Sequence, residues 1–122
     1  MNGVERIAAE RQRQIEVEGF DEAHDDEHCF GEICGAASSY AEVAARQIAS
    51  GYLHTEYRPT QMWRWSGEWW KPGPDPIRNL EKAGALVAAE IDRLLRDAAE
   101  KDEPLCGSDF QNPTGSCKEA KP

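Results

Sequence analysis

The residues best suited to chemistry are His24, His28 and Glu32, spaced four residues apart. This spacing places all three on one face of a helix that begins early enough to include them. Imidazole and carboxylate groups so arranged can ligate a divalent metal ion, to which Asp25 would add an oxygen. The alternative interpretation is a helix start whose acids cap the free amides and whose histidines lie on the surface.

A second group with binding potential is the segment 52–76, which carries four tryptophans, two tyrosines and four prolines without helical periodicity. Aromatic rings can bracket planar ligands such as nucleobases, and neighbouring cations can meet phosphates. The alternation of Trp63, Arg64 and Trp65 would place both rings on one side of an extended chain. The alternative is that the tryptophans cover a thin helical core.

The two groups together predict one ligand-binding site, provided that the tryptophan segment lies over the histidines. Its predicted members are Phe20, His24, Asp25, His28, Glu32, Trp63, Arg64 and Trp65. The chain contains no phosphate-binding glycine loop, no G-x-S-x-G elbow and no suitable Cys–His pair, so nucleophilic catalysis is not expected. Any chemistry would be metal-assisted hydrolysis with carboxylates.

Length and charge limit the classes of protein to consider. A chain of 122 residues is sufficient for one domain with a modest core. The net charge of −9 argues against direct nucleic-acid binding, which depends on Lys and Arg at phosphates. Because no long apolar run and no signal-like start occurs, we expect no membrane span and a cytoplasmic protein. Cys29 and Cys34 are expected to be small buried residues, and Cys106 and Cys117 to be free thiols in a tail.

Apolar periodicity predicts three principal helices in a small bundle, that is, a mainly all-α fold. The first is predicted over residues 4–18 and ends at Gly19, with Phe20 folding back onto its last turn. Its apolar stripe consists of Val4, Ile7, Ala8 and Ile15. The second is predicted over residues 27–50, capped by Asp25 or Asp26 and ended by Gly51. Its stripe consists of Ile33, Ala37, Tyr40, Ala44 and Ile48.

The third helix has the clearest pattern and is predicted to be the centre of the core. Asp75 caps it, and Pro76 suits its first turn. Its stripe consists of Ile77, Leu80, Gly84, Val87, Ile91 and Leu94, widened by Ala83 and Leu86. This register also suits a dimer. From about Asp97 the chain becomes polar, so we expect one helical domain over residues 1–100, with a long Trp- and Pro-rich loop, and a disordered, flexible tail over 101–122.

The chain resembles a group of small phage and prophage proteins, mostly uncharacterised. The resemblance rests on E-R-Q-R-Q-I-E-V-E-G-F-D-E-A-H-D-D-E-H, the W-W-K-P segment and K-A-G-A-L-V-A-A-E-I-D-R-L. It covers about residues 5–95 and implies an accessory role in a mobile element, in the cytoplasm of the host cell.

Two remoter resemblances suggest activities. The order of a helix, Gly19-Phe20, the acidic pair Asp25-Asp26 and a later helix is similar to ryanodine-receptor repeat domains, which implies a ligand- or protein-binding module. G-F-D-E-A-H-D-D-E-H and E-K-A-G-A-L resemble segments of the all-α MazG-type nucleotide pyrophosphohydrolases. Lys82 and Ala85 stand where that family has its metal-binding Glu and Asp, which leaves Glu32, Glu81 and Glu90 as candidate ligands.

Our first hypothesis is therefore a phage-type accessory protein that binds a small nucleotide-like ligand or a host defence protein without turnover and without a cofactor. The alternative is a MazG-like pyrophosphohydrolase with Mg²⁺ or Mn²⁺, in which His24, His28 and Glu32 act with Glu81 or Glu90. A third possibility is a helical homodimer whose acidic face occupies the nucleic-acid groove of a host protein.

Overall fold

The computed structural model describes residues 1–101 and confirms an all-α fold with three main helices. The helices are α1 (Gly3–Glu16), α2 (Glu22–Asp26), α3 (Glu32–Ser50) and α4 (Pro76–Lys101). A 3-10 turn, Gly67–Trp69, lies in the long loop between α3 and α4, and these 101 residues contain no strand. No helix among them is long and apolar enough to cross a membrane. The predicted tail and its cysteines lie outside the described residues, except Lys101, which ends α4.

Helix α4 is the centre of the protein, because α1, α2 and α3 all pack against it. The buried core between α3 and α4 is built mostly from alanine. It consists of Ile33, Ala36, Ala37, Tyr40, Ala83, Leu86 and Ala89. Small side chains on both helices let the two backbones approach closely. The tryptophans pack against this cluster from the loop side.

The prediction for the apolar stripe of α4 was wrong about which side faces the core. Ile77, Leu80, Val87 and Ile91 are between 44% and 53% exposed, whereas Ala83 and Leu86, which were expected to be secondary, are buried. Helix α4 carries apolar residues on two sides, and helical periodicity alone does not show which side a neighbour covers. The alanine-rich side is selected because α3 presents its own alanines there.

Helix α1 also differs from its prediction. Val4 is 78% exposed and Ala8 is exposed, while the residues buried most deeply are Glu10 and Gln14. Ile7 packs on α4, where a Cβ at Gly84 would lie 2.6 Å from its Cδ1 atom. The contact with α4 is therefore made by one edge of α1, and a polar side of the helix turns inward.

The helix predicted over residues 27–50 begins five residues later than expected, at Glu32. A separate helix, α2, ends at Asp26, and α3 begins only at Glu32 after Gly31, whose φ of 85° lies in the left-handed region that favours glycine. The N-cap of α3 is Gly31, which has no capping side chain, so the prediction of a cap at Asp25 or Asp26 was wrong. Asp21 instead caps α2 by accepting a hydrogen bond from the His24 amide at 2.9 Å. A short carboxylate directly before the first helical residue is the one placed to do this.

Several local signals in the sequence are confirmed. Gly51 follows the last residue of α3 with a φ of 72°, and Gly19 has a φ of 77° in the turn after α1. The Asp75 carboxylate accepts a hydrogen bond from the Ile77 amide at 2.9 Å at the start of α4. At the far end, α4 continues to Lys101, beyond the expected end near Asp97. Ile48, predicted as core, is 64% exposed.

Candidate functional site

A continuous row of aromatic rings runs from the end of α1 into the tryptophan loop. Phe20 stacks on His24 with ring centroids 4.5 Å apart, and His24 meets His28 at 4.7 Å. His28 in turn contacts Trp65 edge to face at 5.3 Å, and Trp65 contacts Trp63 at 5.4 Å. The loop therefore contacts His28 through Trp65, whereas His24 contacts Phe20 and His28. His24 belongs to α2, and His28 lies in the turn before α3.

The row continues onto α3 through Trp70. Its ring lies 5.1 Å from that of Trp63 and 4.9 Å from that of Tyr40. The Trp70 indole donates a hydrogen bond to the carbonyl of Tyr57 at 2.7 Å. Offset and edge-to-face contacts at these distances each stabilise a pair beyond its buried area. The tryptophans thus fold the loop inward as one cluster.

Buried amide side chains hold the two ends of the loop. Gln47 donates through Nε2 to the carbonyls of His54 and Gly73, at 3.1 and 3.0 Å. Asn79 accepts from the Gly73 amide at 2.8 Å and donates back to its carbonyl at the same distance. Both amide side chains are fully buried, so these bonds replace hydration that the loop backbone would otherwise lose.

The middle of the loop is pinned to α3 by close contact. Thr60 hydrogen-bonds to Ser39 through its side chain at 2.9 Å and through its amide at 3.1 Å. The backbone of Met62 lies directly against Gly35, where an added Cβ would overlap the Met62 carbonyl. These contacts fix the middle of the loop on α3, so the loop can form one rigid side of a cavity.

Between α1, α4 and this loop lies a cavity of about 220 Å³. Its aromatic lining includes three predicted site residues, Phe20, Trp63 and Trp65. The full lining consists of Glu10, Arg13, Gln14, Glu18, Phe20, Tyr40, Trp63, Trp65, Trp69, Lys71, Lys82 and Leu86. Aromatic walls with a few convergent polar groups are typical of small-molecule sites.

The charged side of the cavity is organised around Glu10. Its carboxylate pairs with Arg13 at 2.8 Å and with Arg78 at 2.6 Å, although it is itself almost fully buried. Burial opposes the charge, but hydrogen bonds from Arg13 and Arg78 outweigh it and hold the pKa of Glu10 below its ordinary value. Glu10 is therefore an anion already shared by two guanidinium groups.

Lys82 adds an incompletely balanced positive charge. Its Nζ atom lies 5.4 Å from the centroid of the Tyr40 ring and donates to the carbonyl of Lys71 at 3.1 Å. Burial, and then the neighbouring charge of Arg78, lower the pKa of Lys82. A cation whose pKa is depressed by other cations would be stabilised by an added anion.

Two buried polar atoms in the cavity lining have no hydrogen-bond partner within residues 1–101. They are the side-chain oxygen Oε1 of Gln14 and the indole nitrogen Nε1 of Trp65. Gln14 is only 3% exposed. Buried polar atoms are seldom left unpaired, so these two are an unsatisfied acceptor and an unsatisfied donor in the walls of the cavity.

The predicted trio lies beside the cavity rather than in its lining. His28 Nδ1 is 3.6 Å from Glu32 Oε2, and both residues are buried. The Glu32 carboxylate also accepts from the Phe30 amide at 2.6 Å. Burial, and then His24, lower the pKa of His28, so the imidazole is kept neutral. Of the three residues, His28 contacts Trp65 and so supports this wall of the cavity.

Asp25 has a structural role in the same region. Its carboxylate accepts from Arg11 at 2.9 Å and contacts His24 Nδ1 at 2.9 Å. Arg11 also donates to the carbonyl of Phe20 at 2.9 Å. This buried ion pair therefore fixes Phe20 and His24 at the beginning of the aromatic row.

The predicted metal site finds no support in this arrangement. Within residues 1–101, no group of three or more His, Cys, Asp or Glu side chains is placed to hold a metal ion. Glu81 is paired with Arg6 and Arg78, both at 3.1 Å, and Glu90 with Arg93. Glu81 and Glu90 thus already have cationic partners from the protein itself.

Sequence reasoning missed the charged half of the cavity. Arg64, a predicted member, is exposed and outside the cavity lining, whereas Arg13 and Lys82 line the cavity. The available signal was the spacing of Glu10, Gln14 and Glu18, which forms a polar stripe along one side of α1. That stripe is typical of a solvated face, and nothing in the sequence shows that it turns toward a cavity.

Comparison of the chain with protein-family models, curated proteins and solved structures found no significant match to any of them.

Proposed function

We propose that this protein binds a small, planar, anionic molecule of the nucleotide type in the cavity between α1, α4 and the tryptophan loop, without chemical turnover. The observation that carries the proposal is the pairing of aromatic walls, Trp63 and Trp65, with the cations Arg13 and Lys82 in one enclosed space. This cationic cluster occurs in a chain with a net charge of −9.

Each part of the cavity suits one part of such a ligand. The indole faces can stack on a nucleobase, a contact worth about 1–3 kcal/mol per base. Lys82, whose ammonium group is a hydrogen-bond donor in the lining, can meet an anionic group of the ligand. The volume, about 220 Å³, is below the roughly 300–1,000 Å³ usual for small-molecule pockets, which favours a ligand of nucleoside size.

The state of the reactive groups supports binding without turnover. Glu10, the buried carboxylate of the cavity, is shared by two guanidinium groups and is poorly placed to act as a base. Outside the cavity, burial and then the charge of Glu90 raise the pKa of the Cys34 thiol, which disfavours the nucleophilic thiolate.

Calorimetric titration of the full chain with a panel of nucleoside phosphates, cyclic nucleotides and ADP-ribose tests the proposal. We expect saturable binding of at least one class, weakened roughly tenfold by Lys82→Gln and by Trp69→Ala, as expected from losing about 1.4 kcal/mol of contact energy. Trp69 lines the cavity and is 39% exposed, so its removal should leave the fold intact.

Arg46→Gln is the matched control, because Arg46 pairs with Glu42 on the surface of α3 and does not line the cavity. Absence of heat with every compound would sink the proposal. In a parallel incubation of the protein with nucleoside triphosphates and Mg²⁺ or Mn²⁺, release of pyrophosphate would contradict binding without turnover and support the pyrophosphohydrolase alternative. An accessory role in a mobile element and the binding of a host defence protein remain predictions from the sequence.

A further inference from the structure

The side of the protein away from the tryptophan loop carries an unusual amount of exposed apolar surface. On α4 it includes Leu80, Val87 and Ile91, each close to half exposed, with Leu94 partly exposed in the same stripe. These positions follow one another by seven, four and three residues and so lie on one side of the helix. Leu80, Val87 and Ile91 remain exposed because α3 packs on the alanine side of α4, and α1 reaches this stripe only at Gly84, which Ile7 contacts.

Helix α3 extends this surface with small and apolar residues. Ala41 is partly buried against the core, Ala45 is exposed, and Ile48 is 64% exposed. They form one helical stripe with Cys34, whose Sγ lies 3.9 Å from Glu90 of α4 and so marks the junction of the two helices. Gly35 and Ser39, which hold the loop, lie on a different side of α3. We call this two-helix surface, Cys34 to Ile48 on α3 and Ile77 to Leu94 on α4, the α3–α4 face.

We infer that the α3–α4 face is the interface of a homodimer, in which α4 packs antiparallel against α4 of a second copy of this chain. This inference is independent of the proposed ligand.

The spacing of the α4 stripe favours a second copy as the occupant. Ile77, Leu80, Gly84, Val87, Ile91 and Leu94 are separated by three, four, three, four and three residues. This order reads the same in both directions, so a two-fold axis between Gly84 and Val87 places each end of the stripe opposite the other end. Gly84 itself faces Ile7 of α1, so it lies at the edge of the stripe and contributes no exposed apolar area. Ile77 then lies opposite Leu94, and Leu80 opposite Ile91, as a self-complementary interface requires.

The size and chemistry of the face agree with this occupant. The large aliphatic side chains of the face together expose on the order of 500 Å² of apolar surface, which is near the upper limit for a monomer. They are Ile77, Leu80, Val87 and Ile91, each about half exposed, and Ile48, which is 64% exposed. Doubled across a two-fold axis, that area reaches the roughly 1,000 Å² expected of a specific interface. The stripe positions of α4 carry no charge, so two copies with a net charge of −9 can approach there without placing like charges in contact.

Mass measurement by light scattering during size-exclusion chromatography of the full chain tests the inference. At micromolar concentration we expect twice the chain mass of 13.6 kDa. The dimer should persist when salt is raised, because apolar burial is not screened. The double variant Val87→Glu, Ile91→Glu places four carboxylates in the dimer interface and should raise the dissociation constant tenfold or more.

Leu53→Glu is the matched control, since Leu53 is 53% exposed in the loop and outside the face. It should keep the mass of the wild type, and circular dichroism should show unchanged helix content in both variants. A monomeric wild type at high micromolar concentration would overturn the inference. So would a dimer that survives the double variant, or one that Leu53→Glu dissociates equally well.

Discussion

The Nδ2 atom of Asn79 on α4 donates a hydrogen bond to Oε1 of Gln47 on α3 at 3.0 Å, and neither side chain is exposed to solvent. Each residue uses its remaining groups on loop backbone, at Gly73 and His54. One pair of amides therefore joins the two central helices and both ends of the loop that covers the cavity. Networks of this kind specify a unique arrangement only when every member is satisfied.

Replacing Asn79 with leucine should destabilise the protein by about 3 kcal/mol, because Gln47 and the Gly73 backbone would lose their partners in a buried position. Urea unfolding followed by circular dichroism measures this loss. Asn2→Ala is the comparison, since Asn2 caps α1 at the surface and should cost about 1 kcal/mol. Equal losses in the two variants would contradict the role given to the buried pair.

Replacing two helical glycines with alanine should change the melting temperature by different amounts. In Gly35→Ala the new Cβ would overlap the Met62 carbonyl, so the loop backbone must move and the melting temperature should fall by several degrees. In Gly84→Ala the new Cβ would meet the Ile7 side chain, 2.6 Å from Cδ1 and 2.8 Å from Cγ1, which can shift more easily than loop backbone. The better helix propensity of alanine, about 1 kcal/mol, should offset part of this contact. Thermal melts of both variants check this, and a greater loss in Gly84→Ala would refute it.

His28 should make the protein less stable in mild acid. Its pKa is lowered in the folded state by burial and by His24, so the unfolded chain binds the proton more readily. Stability is then unaffected above the ordinary histidine pKa of about 6.5 and is lost as the pH falls below it. Melting temperatures across this range should fall less steeply for His28→Gln than for the wild type. Gln61→Ala, at an exposed loop position that carries no titrating group, should keep the wild-type slope.

The lowered pKa of Lys82 predicts a loss of ligand affinity at alkaline pH, if the proposed function is right. As the pH rises toward that value, below the ordinary 10.5 of lysine, the cavity loses a positive charge and an anionic ligand binds more weakly. Titrations should use a nucleotide whose own charge is constant over the range. Lys82→Arg keeps its charge and should bind evenly throughout, so an equal decline in that variant would remove Lys82 as the cause.

Local signals in the sequence were sufficient to locate the end of α3 and the start of α4. Gly51 and Asp75 act through the backbone of their own turn, and their effect does not depend on the rest of the fold. The side of α4 that faces the core was not predictable in this way, because Leu80 and Leu86 are equally apolar and only the approach of α3 distinguishes them. Choosing between two apolar sides requires tertiary information.

The candidate ligand site was also predictable only in part, because half of it depends on tertiary contacts. Aromatic content indicated that the loop would pack over the N-terminal histidines, and the contact between His28 and Trp65 is present. The charged half depends on Arg13, Arg78 and Lys82 converging on one carboxylate from α1 and α4. Residues so far apart in the sequence have no shared periodicity, so their meeting appears only in the folded structure.

The contacts among the indole rings also give the protein a built-in optical property. Trp63 lies 5.4 Å from Trp65 and 5.1 Å from Trp70, close enough for their electronic transitions to couple. Two of these rings line the cavity, so an occupant that turned either one by a few degrees would change the coupled signal in near-ultraviolet circular dichroism. The same cluster that closes the loop would thus report, without any label, whether the cavity is filled.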